Sequence, residues 1–175
     1  MSRLSVPVTE KDHQQGNPNA ACTLVEYGDY ECPSCGQAYP VVKRLQKRFG
    51  DDLRFVFRNF PLTEAHEHAE HAAEAAEFAG AHDRFWEMHD LLYEHQDSLD
   101  DDSLLKLGKR FHLPADKLLE TLTEGTFQPR IKADFSGGVR SGVNGTPTFF
   151  INGQRHDGSF DFDTLAEAIQ SHLGA

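Results

Sequence analysis

Residues 32 to 35 read Cys32-Pro33-Ser34-Cys35, directly after an apolar and aromatic stretch (Leu24, Val25, Tyr27, Tyr30) and directly before a helical pattern. A thiol in the first turn of a helix faces unpaired backbone N–H groups and the positive end of the helix dipole, which favour thiolate over thiol. That placement predicts Cys32 as a nucleophile. Cys35 lies one helical turn on, close enough to close a small ring with Cys32, and reads as the resolving thiol. Pro33 suits the first turn, where its missing N–H costs nothing. Ser34 brings a hydroxyl between the thiols but no cation. The chemistry such a pair performs is thiol-disulfide exchange.

The same four residues could be half of a zinc site. A structural zinc site takes four ligands, usually from two paired clusters. The chain holds one further cysteine, Cys22, at the start of the preceding strand pattern, and none of its ten histidines stands in a spaced pair near a second cysteine pair. Cys22 itself reads as an inert small hydrophobe.

The elements that must position the pair follow from the surrounding pattern. Residues 4–10 alternate weakly and read as an edge strand, with a turn at Gly16-Asn17-Pro18. Residues 22–29 read as a buried strand. From Pro33 to Phe49 the residues Ala38, Val41, Val42, Leu45 and Phe49 recur at helical spacing, Gly50 is the stop, and Pro40 interrupts the interior. Residues 53–60 form a second core strand, and a helical crossover between two strands predicts parallel neighbours. Residues 63–141 carry almost no β signal and read as four or five helices, the first capped by Thr63 and running to about Gly80, the next capped by Asp83. Strand signal returns at Thr148-Phe149-Phe150-Ile151, Asn152-Gly153 predicts a hairpin turn into 154–158, and Leu165, Ile169 and Leu173 mark a last amphipathic helix.

A length of 175 residues with 38% hydrophobic residues suits one domain with a sizeable core. With 17 Lys and Arg against 28 Asp and Glu, the net charge of −11 disfavours phosphate backbones and anionic lipid, so neither nucleic acid nor membrane is an expected partner. No stretch reaches the roughly 18 apolar residues of a membrane span. The N-terminal residues show no signal-peptide run, so the chain as given is expected in the cytoplasm, and outside it if the sequence is a processed mature form. His66, His68 and His71 lie in an Ala/Glu-rich helical pattern where only His68 and His71 share a face, which reads as solvated rather than as a weak transition-metal site, and Asp100-Asp101-Asp102 reads as a helix start favoured by the dipole. Phe85 and Trp86 read as core of the helical block.

The stretches TLVEYGDYECPSCGQ and GVNGTPTFFING together resemble the DsbA-like thiol-disulfide oxidoreductases of the thioredoxin superfamily, and the organisation is similar over roughly residues 6 to 173. The resemblance implies an α/β thioredoxin fold with a helical insertion between its β-α-β and β-β-α halves. One domain would span 1–175, with the core at about 20–62 and 143–175 and the insertion at about 63–142. It further implies catalysis by Cys32 and Cys35, tuned by Pro33 and Ser34. Pro147 would be cis, Thr146 would present its backbone to an extended client, and Glu26, six residues before the first cysteine, would be a buried proton carrier. By its own pattern, Glu26 reads as an exposed strand carboxylate. No cofactor or metal is implied, and the partners would be cysteine-containing client proteins and a separate redox partner. A metal-binding or partner-docking module on the same fold is the alternative from another class. A glutathione-transferase-like enzyme is the other, and it would carry serine where Cys32 stands.

Overall fold

The computed structural model describes residues 2–174; Met1 and Ala175, the outer bounds of the expected domain, lie outside the described residues. The described residues form five strands and seven helices in the order β1 (His13–Gly16), β2 (Cys22–Gly28), α1 (Pro33–Phe49), β3 (Leu53–Asn59), α2 (Ala69–Gly80), α3 (Phe85–Glu94), α4 (Asp101–Lys109), α5 (Ala115–Glu124), α6 (Gln128–Arg140), β4 (Thr148–Ile151), β5 (Gln154–Arg155) and α7 (Phe162–Leu173). A 3₁₀ turn at Gly50–Asp52 joins α1 to β3. None of the described helices is long and apolar enough to cross a membrane. This is the mixed α/β architecture of the thioredoxin fold.

The chain divides into two compact units. One comprises the residues up to Gly28, Gln37–Arg58 and those from Ser136 onward; the other comprises Asp29–Gly36 and Asn59–Phe135. The first unit is built on a sheet of order β1-β3-β2-β4-β5, in which β1 runs antiparallel to β3, β2 to β4, and β4 to β5. The central strands β2 and β3 are buried on both faces, which is why they read as near-continuous apolar runs. Helix α7 packs on β2 and β4 through buried Leu165 and Ile169, and Tyr27 meets Phe150 edge to face with ring centroids 5.8 Å apart. The hairpin between β4 and β5 turns at Asn152 (φ 48°) and Gly153 (φ 83°), the left-handed pair that a two-residue turn requires.

The edge strand is His13–Gly16, not residues 4–10. The backbone of that earlier segment serves a side chain instead of a ladder. Arg58 donates to the carbonyls of Val6 (2.8 Å) and Pro7 (3.1 Å) and to both carboxylate oxygens of Asp12 (2.8 and 3.1 Å). Its Nη1 also reaches the Tyr27 hydroxyl at 2.9 Å. Arg58 is only 3% exposed, and a buried guanidinium must have its donors satisfied. Gly137 in α6 leaves room for Val6, whose Cγ2 would lie 3.0 Å from an added Cβ.

In the second unit α2 packs against α3, α4 and α5. Its buried face is wide and lined by Ala69, Ala72, Ala73, Ala75, Ala76 and Ala79, small enough for close helix approach. Neither expected cap forms. Thr63 is exposed, and residues 61–68 turn instead of coiling, so α2 starts at Ala69. Asp83 adopts φ 60° in the connection that closes α2, where the Arg84 amide bonds the Ala79 carbonyl at 2.8 Å, and α3 starts at Phe85. Asp100 does cap α4, accepting from the Ser103 amide.

Two of the three glutamates in this alanine-rich helix are buried. Glu77 accepts from Asn59 Nδ2 at 2.9 Å and pairs with Arg130 at 3.2 Å. Glu74, with none of its surface exposed, accepts from the Phe127 amide at the start of α6. Burial pushes the Glu74 carboxyl up to about 7 against the opposing Phe127 bond, and the neighbouring Glu70 charge adds to the rise. The unfolded chain releases this proton near the ordinary carboxylate value, while the folded chain holds it to about pH 7. Glu74 therefore costs stability progressively as pH rises through that window. Glu74→Gln is expected to reduce the fall in melting temperature between pH 5 and pH 8; parallel melting curves for parent and variant would remove Glu74 as its source.

Candidate active site

Strand β2 ends at Gly28, where an added Cβ would lie 2.5 Å from the Phe57 ring, so only glycine fits. Asp29 follows, its side chain fully buried. Its Oδ1 accepts from the Glu31 amide at 2.8 Å, and its Oδ2 from the Leu62 amide at 2.9 Å and from His66 Nδ1 at 2.8 Å. A carboxylate only accepts, so the Asp29 bond fixes a proton on His66 Nδ1. The Asp29 carbonyl accepts from the Cys32 amide at 3.1 Å and closes the turn that delivers the chain to α1.

The Cys32 carbonyl in turn accepts from the Gly36 amide at 3.1 Å, the first bond of α1, which makes Cys32 the residue at the mouth of the helix. Pro33 is the first helical residue, and the first turn holds no acidic side chain to offset the positive pole. Cys32 is 7% exposed and Cys35 is fully buried, and no disulfide joins them in this structure. Pro33 is exposed and Ser34 half-buried.

Residues from the helical unit hold this segment from behind. Gln96 Nε2, in the loop after α3, donates to the carbonyls of Tyr30 (3.0 Å) and Cys32 (2.6 Å). The Tyr30 hydroxyl bonds His89 Nδ1 at 2.9 Å, and its ring packs against those of His89 and Tyr93 with centroids 5.4 and 5.0 Å away. Glu31 Oε1 accepts from the His68 amide at 2.8 Å.

The placement of His66, His68 and His71 together in one helix is corrected. His66 and His68 precede α2, and only His71 lies within it, paired with Asp101 at 2.6 Å. His66 binds Asp29. Burial disfavours the His66 imidazolium, but the Asp29 hydrogen bond and the charges of Asp29, Cys32 and Glu31 outweigh it and raise its pKa. The local pattern does not mark His66, Asp29 or Gln96 as site residues.

The other residues expected at the site belong to the sheet unit. Glu26 is buried on β2, 3% exposed, opposite Phe149 in the β2–β4 register, so its reading as an exposed strand carboxylate does not hold. The Thr146–Pro147 peptide bond is cis, and both residues are half-buried immediately before β4. Cys22 is fully buried, and burial pushes its thiol up to about 11, far from reactive. Among the described residues no group of three His, Cys, Asp or Glu is placed to hold a metal ion.

Gly36 faces Gln96, and an added Cβ there would run into the Gln96 carboxamide. That carboxamide cannot swing aside without releasing two carbonyls. Gly36→Ala is expected to destabilise by about 1–3 kcal/mol, and to cost clearly less in a Gln96→Ala background. Denaturant titration of the two single variants and the double checks this; additive effects would show that the contact does not constrain the segment.

A family model described as thioredoxin matches residues 8–171. A Na(+)/H(+) antiporter NhaA 1 of Salinispora arenicola (strain CNS-205) is 47% identical over 169 residues, which is 96% of this chain and 26% of the antiporter. The chain thus spans about a quarter of that relative's length. Oxidised BdbD from Bacillus subtilis superposes with a TM-score of 0.88 at 28% identity, covering 99% of both chains. Wolbachia pipientis alpha-DsbA1 shares the fold, with a TM-score of 0.83 at 20% identity over 98% of this chain and 94% of its own. The chain belongs to the thioredoxin family.

Proposed function

We propose that this chain exchanges disulfides with client proteins through Cys32 and Cys35, by way of a mixed disulfide. The observation that carries the proposal is the asymmetry of the pair. Cys32 stands at the mouth of α1 and keeps 7% of its surface exposed, and Cys35, one turn inside, keeps none. Only the first can meet a client; only the second is tethered to displace it.

In the reducing direction the Cys32 thiolate attacks one sulfur of a client disulfide, forming the Cys32–client bond and releasing the other client sulfur as thiolate. Cys35, once deprotonated, attacks the Cys32 sulfur; the Cys32–Cys35 disulfide forms, and the second client thiolate leaves. Two electrons have passed to the client. In the oxidising direction the same steps run in reverse, and a second thiol-disulfide partner returns the pair to its starting state. Glu26 would take the Cys35 proton, and Thr146 and Pro147 would receive an extended client segment, roles that rest on the family resemblance. Pro33 and Ser34 set the ring size and add no charge between the thiols.

Two measurements test this. Alkylation of the folded, reduced protein should modify Cys32 first and at a lower pH than a free thiol, with a pKa of about 8.5, while Cys22 and Cys35 stay protected. Cys35→Ser should accumulate dithiothreitol-reversible adducts with cellular proteins on a non-reducing gel, and Cys32→Ser none, because only the first variant traps the intermediate without its exit. Equal adducts from both would sink the ordered mechanism, and none from either would favour a binding module.

A further inference from the structure

A neighbouring cation stabilises a thiolate, and between the cysteines this chain places only the uncharged Pro33 and Ser34. A histidine from a distant part of the sequence is tied to the site. Asp29 holds two groups at once. Its carbonyl binds the Cys32 amide at 3.1 Å, and its buried carboxylate binds His66 Nδ1 at 2.8 Å. The ring is thus tethered to the residue that sets the position of Cys32, with its side chain 20% exposed. Because Nδ1 carries its proton toward Asp29, the nitrogen that titrates is Nε2.

We propose that His66, held by Asp29, is the positioning residue that supplies the positive charge stabilising the Cys32 thiolate, replacing a cation between the two cysteines. The inference rests on the exchange reading above and names its electrostatic control. Charge coupling is reciprocal: Cys32 is among the groups that raise the proton affinity of His66, so the His66 imidazolium favours the ionised form of Cys32 to the same extent. The charged groups around the ring are Asp29, Glu31 and Cys32 on the active segment, with Glu64, Glu67 and His68, exposed or partly exposed, on its own. Glu31 is drawn toward the His68 amide. Asp29 and Glu31 act against the thiolate directly, and the imidazolium offsets them. The stabilisation is present while His66 is protonated and disappears as pH rises through its elevated pKa. Stabilising the thiolate stabilises the reduced pair, which makes the disulfide the stronger oxidant.

The test needs no client, so it is independent of adduct trapping. In the unmodified chain, the ring of His66 is followed by NMR against pH in the dithiol and disulfide forms. Oxidation removes the Cys32 charge, so the His66 midpoint should fall by several tenths of a unit or more; an identical midpoint in both forms would overturn the proposal. His66→Gln should raise the pH at which Cys32 ionises by about one unit. It should also shift the equilibrium with glutathione toward the disulfide by up to about tenfold, ~30 mV. His66→Lys, which keeps the charge, should restore both. Parent-like ionisation of Cys32 in a folded His66→Gln protein would equally overturn it.

Discussion

The buried carboxylate of Asp29 is the constraint from which the geometry around the thiols follows. A carboxylate taken out of water is costly unless its lone pairs are filled, and each hydrogen bond to a charged group contributes roughly 1.5–3 kcal/mol. Asp29 accepts from the Glu31 and Leu62 amides and from the His66 ring. These demands fix three things together: the turn that places Cys32 at the head of α1, the path of residues 61–68, and the orientation of one imidazole. The same accounting explains where α2 begins. Helical propensity alone would let it start near Thr63. The Leu62 amide and the His66 ring are committed to Asp29 and the His68 amide to Glu31, so the chain stays in turns until Ala69.

The segment bearing the cysteines is held by groups from the helical block. Asp29–Gly36 belongs to the same compact unit as residues 59–135, and its carbonyls and aromatic ring are held by Gln96 and His89 from the region of α3. A helical block of this kind does more than enlarge the core: it supplies second partners for polar groups that a turn of eight residues cannot satisfy within itself. Its own interior follows the same rule, since Glu77 in the alanine-rich helix is matched by Asn59 and Arg130, and Asn59 in turn is bonded through its amide to Asp134 at 3.0 Å.

The sequence was most legible where local signals and packing agree. Strands β2, β3 and β4 lie where their apolar runs put them, α1 starts at Pro33, and the Asn152-Gly153 turn has the backbone its residue types demand. Misreadings cluster where a distant polar group overrides a local preference. Residues 4–10 alternate like a strand, yet Val6 and Pro7 spend their carbonyls on Arg58. Thr63 looks like a helix cap, yet the chain beyond it answers to Asp29. Glu26 in isolation suggests an exposed carboxylate, and it is buried because β2 is covered on both faces. None of these partners is close in sequence, so no window of neighbouring residues could reveal them.

The same limit governs how the site's electrostatics are read. A Cys-x-x-Cys motif invites attention to the two residues it encloses, and Pro33 and Ser34 suggest a thiol helped only by a helix terminus. That view counts only charges adjacent along the chain, whereas a thiolate responds to charges adjacent in space. The turn before α1 presents its carbonyl to Cys32 and its carboxylate to His66, thirty-four residues beyond Cys32 in the sequence. An uncharged residue between two cysteines therefore does not settle the character of the thiol. What settles it is whether the fold returns a cation to the head of the helix, and here the residue that shapes the turn also anchors that cation.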